Sequence, residues 1–435
     1  MASHEHQRTI RISALARVEG EGALFIRVRD GQPMDVRLQI YEPPRFFEAL
    51  LRGRPHTDAP DITARICGIC PVAYQMSACN ALENLFGITI PQEIRQLRLL
   101  LYYAEWIQSH TLHVVMLHAP DFLGVDNVVQ MAQTNRDLVQ RALQLKKAGN
   151  QLLALIGGRE IHPVNVRVGG FYSVPRPAEL RKLRDPLQRG LETALALARW
   201  VARFPFPDFE PKYEFVALRH PTEYAILDGH VVSSYGVDLP VSRFEELVVE
   251  HQVPHSTALH YEIAGRGSYL TGPLARFNLN FSQLSPLAQE VARETGHVPP
   301  LQNPFRSIVV RCLEIIHALE QSLALIERYE PPARPWVDYE VRSGIGFGAS
   351  EAPRGLLYHR YEVGADGSIR DARIVPPTAQ NQKRIEDDLR LLAPSVIQLP
   401  KDRATRFCEH VIRNYDPCIS CATHFLRLDI VDGDQ

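Results

Sequence analysis

The chain has 435 residues, 45% hydrophobic and 23% charged, with a net charge of -2, which is the profile of a folded globular protein and excludes a disordered one. Lys+Arg 48 against Asp+Glu 50 gives no electrostatic case for nucleic acid or an anionic membrane as the main partner. No apolar run reaches the length of a membrane span, and the N-terminal MASHEHQRTIRI lacks a signal peptide's apolar stretch, so a soluble, cytoplasmic protein without direct membrane insertion is expected.

In chain order, RTIRISAL, GALFIRVR and MDVRLQI alternate apolar and polar residues with period two, which predicts strands across residues 8 to 41. Asp30-Gly31 between the last two is a hairpin-turn signal. From about Arg45 the period lengthens. Segments near 71 to 86, 91 to 118, 127 to 155, 177 to 202, 281 to 296 and 303 to 329 carry Leu, Ile, Val and Ala at three-and-four spacing, the pattern of helices. Gly87 suits a helix stop and Pro91 the first turn of the next helix. A second pair of strands is predicted in GLLYHRYEVGADGSIRDARIV around Gly364-Ala365-Asp366-Gly367, then short helices over 382 to 393 and 402 to 413. FPFPDFEP and YEPPARP read as surface connections, since neither is long or of low complexity. The expected class is mainly α with small β (α+β): a core of long helices with β-hairpins near both ends, in one unit.

Seven cysteines, an odd number, do not suit a secreted disulfide framework. Arg65-Ile66-Cys67-Gly68-Ile69-Cys70 leads into a helical pattern, and Asp416-Pro417-Cys418-Ile419-Ser420-Cys421 repeats the spacing near the C-terminus, with His424 three residues further on. A two-residue gap lets both sulfurs of a pair face one ion. Spacing leaves three chemistries open. Paired CxxC motifs ordinarily hold structural zinc, but these pairs are 348 positions apart (418 minus 70), whereas zinc ribbons separate theirs by about fifteen to twenty residues. A redox dithiol would use one pair and leave the other unexplained. Four soft sulfurs meeting in space would hold a redox-active transition metal. Cys79, Cys312 and Cys408 have no paired spacing and read as core residues. His110, His113 and His118, at three-and-eight spacing, do not share one tight helix face and read as buried, hydrogen-bonded histidines.

RICGIC and DPCISCATH, in this order near opposite ends, resemble the two signature motifs of the large subunit of nickel-iron hydrogenases. Other segments agree: Arg17-Val18-Glu19-Gly20, Arg45-Phe46-Phe47-Glu48 ending in Arg52-Gly53-Arg54, His162-Pro163-Val164 with Gly169-Gly170, and Glu351-Ala352-Pro353-Arg354-Gly355. The likeness spans residues 8 to 424. It implies the fold of that large subunit as a single domain over 1–424, and the reversible heterolytic cleavage of H2 to protons and electrons. It implies Cys67, Cys70, Cys418 and Cys421 as nickel ligands, with Cys70 and Cys421 also bridging to an iron that carries carbonyl and cyanide. Glu19 would be the proton-transfer carboxylate and Arg354 would lie over the iron. Glu48, His424 and the backbone carbonyl of Gln382 would hold magnesium. Two positions depart from the family's pattern: Glu21 stands near its usual histidine, and Ser109 where many members have an aspartate before the match to His110. Residues 425–435 would be a propeptide removed by a maturation endopeptidase after nickel loading, with an ordinary terminal strand in LRLDIV as the alternative.

Neither GxxxxGK[ST] nor a GxGxxG between strand and helix occurs, and GIGFGAS has its glycines at other spacings, so nucleotide and flavin are expected on other chains. Once four cysteines are assigned to nickel, too few remain for iron-sulfur clusters. The resemblance accordingly implies an iron-sulfur small subunit. The length and the variants RICGICPVAYQMSA and DPCISC are similar to the cytoplasmic NAD(P)-coupled, sulfhydrogenase-like group 3 branch, which implies flavin- and NAD(P)-binding diaphorase subunits as well. The alternatives are an F420-reducing hydrogenase and a non-catalytic relative such as the quinone-site subunit of complex I. The presence of all four cysteines speaks against the latter.

Overall fold

The computed structural model describes residues 7–29, 32–42 and 46–423. Strands Gln7–Ile12, Gly22–Arg29 and Gln32–Ile40 form an antiparallel sheet in chain order. Their alternation turns Leu24, Ile26 and Val28 and then Val36, Leu38 and Ile40 inward, all nearly solvent-free. The predicted Asp30-Gly31 turn lies outside the described residues. The buried face of the sheet rests on the long helix Pro377–Val396.

The helical body is a ring of four: Gln92–Thr111, Arg136–Gly157, Arg184–Val201 and Ser307–Glu327 each pack on the next, and the last closes on the first. Three predicted helices are interrupted. The 91 to 118 segment stays α-helical through Thr111 and widens into a π-helix over Leu112–His118. The extra residue per turn rotates the side chains that follow, and brings the His113 and His118 rings to 5.0 Å. The 127 to 155 and 177 to 202 segments break at Asn135 and at Lys182-Leu183. Apolar spacing resumes after each break, so periodicity passes over it. The 281 to 296 prediction shrinks to Pro286–Glu294, with a separate helix before it at Pro273–Asn280.

Strands also occupy the middle of the chain, where none was predicted. Val216–Arg219, His230–Ser233 and Asp238–Leu239 form one sheet, and Val248–His251 pairs with His260–Ile263. With two to four residues each, they are too short to show a period. The predicted pair at 355 to 375 forms as Gly355–Val363 and Ile369–Val375, and a third strand, Gly344–Ala352, lies beside the first. That third strand carries GIGFGAS. A Cβ on Gly348 would lie 2.4 Å from the backbone nitrogen of Ala81, so this glycine lets the strand lie directly on the helix Pro71–Phe86. Cys79, Cys312 and Cys408 are fully buried, and burial pushes the thiols of Cys79 and Cys408 up to about 12.

Candidate metal centre

The two CxxC segments meet. Cys67, Cys70, Cys418 and Cys421 are all buried free thiols, and their sulfurs lie within 4.8 Å of one another. Sγ of Cys67 is 3.0 Å from that of Cys70 and 3.4 Å from that of Cys418, and Cys418 is 2.7 Å from Cys421. No disulfide joins them. The first CxxC ends ahead of a helix, Cys70 preceding Pro71–Phe86, whereas the second runs into one: Cys418 precedes the short turn Ile419–Ala422, which contains Cys421. The N–H groups of Ile69 and Cys70 point at the Cys67 sulfur, at 3.3 and 3.2 Å. Burial opposes ionisation of Cys67, but the thiols of Cys418, Cys421 and Cys70 and the charge of Arg354 outweigh it and hold Cys67 well below the usual thiol range. Burial and the neighbouring sulfurs push Cys418 up. Four desolvated thiols at this separation cannot all ionise without a cation among them. The arrangement therefore fits one or more thiophilic metal ions.

Both loops are held by residues that the motifs do not name. Glu105, on Gln92–Thr111, accepts hydrogen bonds from the N–H groups of Val72 and Ala73 at 2.6 and 3.2 Å, filling the cap position that Cys70 leaves open. Gln108, on the same helix, donates to the Ile69 carbonyl at 2.7 Å. On the other side the N–H of Cys418 donates to Thr378 Oγ1 at 3.0 Å, at the start of Pro377–Val396. A lone charge inside the apolar run LLLYYAEWI is the sequence signal that could have marked Glu105.

Glu19 reaches the cluster from the N-terminal sheet. Its backbone bridges Cys418 and its carbonyl accepts from Ile419 N at 2.9 Å. Its Oε2 lies 3.1 Å from Cys418 Sγ and also 3.1 Å from Ser420 N. Ser420 Oγ lies 2.5 Å from Glu19 Oε1 and 3.2 Å from Glu42 Oε2, so one hydroxyl stands between two carboxylates. Gly20 makes this possible. It has φ +86, and a Cβ there would sit 2.6 Å from Glu42 Oε1 and 2.7 Å from Ile419 Cβ.

Arg354 is 2% exposed and donates through Nε to the Asp416 carbonyl at 2.7 Å and through Nη2 to Oδ1 at 3.1 Å. Burial disfavours its charge, but Asp416 and the sulfurs of Cys418, Cys70 and Cys67 hold the guanidinium above its ordinary range. Its Nη1 has no protein partner. The EAPR turn that presents it rests on Arg276, which binds Glu314 through two bonds of 2.9 Å, Glu351 at 2.9 Å, and the carbonyls of Ala352 and Pro353. Burial pushes Glu351 up to about 7 against that pairing.

The remaining expected residues lie outside the four-sulfur group. Glu48, on Phe47–Leu51, accepts from Ile374 N at 2.6 Å, and burial raises its carboxyl to about 7. Gln382 lies within Pro377–Val396, fully buried, with neither amide atom of its side chain hydrogen-bonded. His424 lies outside the described residues, as does the tail 425–435. His110 pairs with Glu314 at 3.0 Å and His113 with the Arg413 carbonyl at 2.8 Å, whereas His118, expected to be hydrogen-bonded like them, sits edge-on to His410 with neither ring nitrogen hydrogen-bonded.

Residues 45–141 and 301–424 match the family described as nickel-dependent hydrogenase. The chain is 31% identical over 423 residues to sulfhydrogenase 1 subunit alpha of Pyrococcus furiosus, covering 96% of this chain and 98% of that protein. It is 29% identical to the NAD-reducing hydrogenase HoxS subunit beta of Cupriavidus necator, covering 96% and 95%. Among solved structures, an NAD+-reducing [NiFe]-hydrogenase in the H2-reduced state superposes with a TM-score of 0.88 at 27% identity, over 96% of this chain and 99% of that one.

Proposed function

The chain belongs to the nickel-dependent hydrogenase family as the catalytic large subunit of a [NiFe] hydrogenase, and from that premise we propose which of its residues serve the reaction and where its electrons go. The observation that carries the assignment is the group of four buried sulfurs drawn from opposite ends of the chain, with a carboxylate and a guanidinium beside it. Cys67, Cys70, Cys418 and Cys421 would hold nickel, and Cys70 and Cys421 would also be ligands to an iron bearing carbonyl and cyanide. When bound, the two metals supply the reversible heterolytic cleavage of H2 to protons and electrons.

The protein's own part is to hold the sulfurs, move the proton and shield the site. Glu19 exchanges a proton with Cys418 Sγ and hands it through Ser420 Oγ to Glu42, which is only half-buried. Arg354 keeps Nη1 free for the small polar ligands of iron, as a permanently charged donor. Glu48, His424 and the Gln382 carbonyl would bind magnesium; the Glu48 carboxyl, raised to about 7 by burial, is a hard oxygen donor suited to that role.

Electrons leave to an iron-sulfur small subunit and on to NAD(P) through flavin-binding diaphorase subunits. The NAD-reducing names of two relatives support this acceptor. Coupling to NAD(P) favours the cytoplasm, and no helix among the described residues is long and apolar enough to cross a membrane. Residues 1–424 act as one domain, and 425–435 are a propeptide cut by a maturation endopeptidase. Thr423 is buried and bridges Ala258, so an extension would begin at a closed part of the molecule. Intact mass reads this directly: active protein should lack 425–435, and full activity with the tail retained rejects the cleavage.

Elemental analysis of the purified complex should give about one nickel per large subunit, bound by the four thiolates. Cys421→Ala should abolish hydrogen-dependent dye reduction. Zinc as the sole metal, or undiminished activity in the variant, would overturn the assignment.

A further inference from the structure

The loop between strands Val248–His251 and His260–Ile263, together with the first residue of the second strand, brings two histidines against the helix Pro377–Val396. One donor atom each from His255, His260 and Glu386 lies within 4.8 Å of the other two. His255 Nε2 is 2.8 Å from Glu386 Oε1, which also accepts from Leu38 N at 2.8 Å. His260 is 2% exposed and Glu386 4%, and His260 Nε2 is buried without a hydrogen-bond partner. An imidazole nitrogen left unpaired in a dry site beside a carboxylate is what a missing cation would explain.

In two other histidine-carboxylate groups among the described residues the carboxylate is already answered by arginine. Asp121, beside His118 and His410, takes three hydrogen bonds from Arg17 and Arg413. Glu223 and Asp228, beside His220, face Arg95. Among the described residues no arginine or lysine pairs with Glu386, and the nearby Lys383 is taken by Asp387.

We propose that His255, His260 and Glu386 bind a divalent transition-metal ion, for which zinc is the natural occupant. Two imidazoles and one carboxylate form a three-ligand zinc set with a fourth position open to water. Magnesium and calcium prefer shells dominated by oxygen, and two imidazoles against one carboxylate do not offer one. The site shares no residue with the four cysteines or with Glu48, Gln382 and His424, and it stands whether or not the roles proposed above hold. Its position suggests its work. Thr257 of the same loop donates to the carbonyls of Ile40 and Glu42, and Ala258 bridges Thr423. The ion would fasten this loop to the helix whose Thr378 holds Cys418, and so brace the seam where the N-terminal sheet and the C-terminal CxxC segment meet.

The test uses the purified native complex, dialysed against zinc chloride, gel-filtered and analysed for zinc and nickel. Wild-type protein should retain about one zinc per chain more than His260→Gln or Glu386→Gln, with nickel unchanged. X-ray absorption at the zinc edge should show imidazole nitrogen and oxygen without sulfur. Equal zinc in wild type and both variants, no retained zinc, or a sulfur shell overturns the proposal and leaves a plain His255-Glu386 hydrogen bond. If a variant also loses nickel, the zinc-edge spectrum of the wild type decides by the same criterion.

Discussion

Glu19 Oε2 faces a sulfur and a backbone N–H at the same distance, 3.1 Å, while Oε1 meets the Ser420 hydroxyl. A glutamine at this position keeps an acceptor for Ser420 N and nearly the same shape, but cannot take up and release a proton at neutral pH. Glu19→Gln should therefore lower hydrogen-dependent dye reduction by about 10²- to 10⁴-fold, with nickel content and thermal midpoint unchanged. An undiminished rate would remove Glu19 from the proton path. Backbone strain marks the same neighbourhood. Among the described residues the non-glycine residues with positive φ are Arg17, His162 and Asp416, and all three sit in segments that carry the family likeness. Each such conformation costs on the order of 1–3 kcal/mol. Each is also held in place: Arg17 by Asp121, His162 by the Ala64 carbonyl at 2.7 Å, and Asp416 by Arg354.

At the level of elements, the strand Gly344–Ala352 links the helix behind Cys70 to the turn that presents Arg354. A methyl on Gly348 would come within 2.5 Å of the Ser77 carbonyl, inside a backbone-to-backbone contact that cannot open locally. Gly348→Ala should cost roughly 1–3 kcal/mol or more by overpacking, seen as a lower thermal midpoint together with lower activity per nickel. A wild-type midpoint would show that the strand can lift off the helix at no cost. This close packing also shows what the sequence could reveal. The CxxC loops, the long helices and the first sheet were legible because their signals are local: a spacing, a period or a turn. The strand with GIGFGAS was not, because its glycines answer to a helix more than two hundred residues earlier in the chain (348 minus 81). Glu105 and Arg276 were hidden for the same reason. Their partners, Val72 and Ala73 for one and Glu314, Glu351 and the EAPR turn for the other, become neighbours only in the folded chain.

For the whole molecule the decisive event is closure of the two ends, because two of the four sulfurs come from each. One staple of that closure is Asp121. It accepts from Arg17 in the N-terminal loop at 2.5 Å, and from Nε and Nη2 of Arg413 in the C-terminal helix Lys401–Arg413 at 2.7 Å each. Arg413 also reaches the Ala16 carbonyl, two residues before Val18 and three before Glu19, so one carboxylate fixes the segment that carries Glu19 to the helix that runs into Cys418. Arg413 is 1% exposed and Asp121 5% by side chain, so removing the negative charge leaves a buried guanidinium with Glu409, at 3.5 Å, as its remaining carboxylate partner. Breaking such a buried pair costs roughly 3–5 kcal/mol. Other links remain, among them the Ala16 N–H to Glu409 hydrogen bond at 3.0 Å, the Glu19-Ser420 contacts and the Glu19-Cys418 and Ala258-Thr423 bridges, so the ends should separate more often without the fold being lost. Asp121→Asn is therefore expected to lower nickel occupancy severalfold while the protein that does load nickel keeps wild-type activity per nickel. The measurement is nickel content against hydrogen-dependent dye reduction on the same sample. Full nickel loading would show that the ends are held by the centre's own bonds, and a fall in activity per nickel would place Asp121 in the chemistry itself.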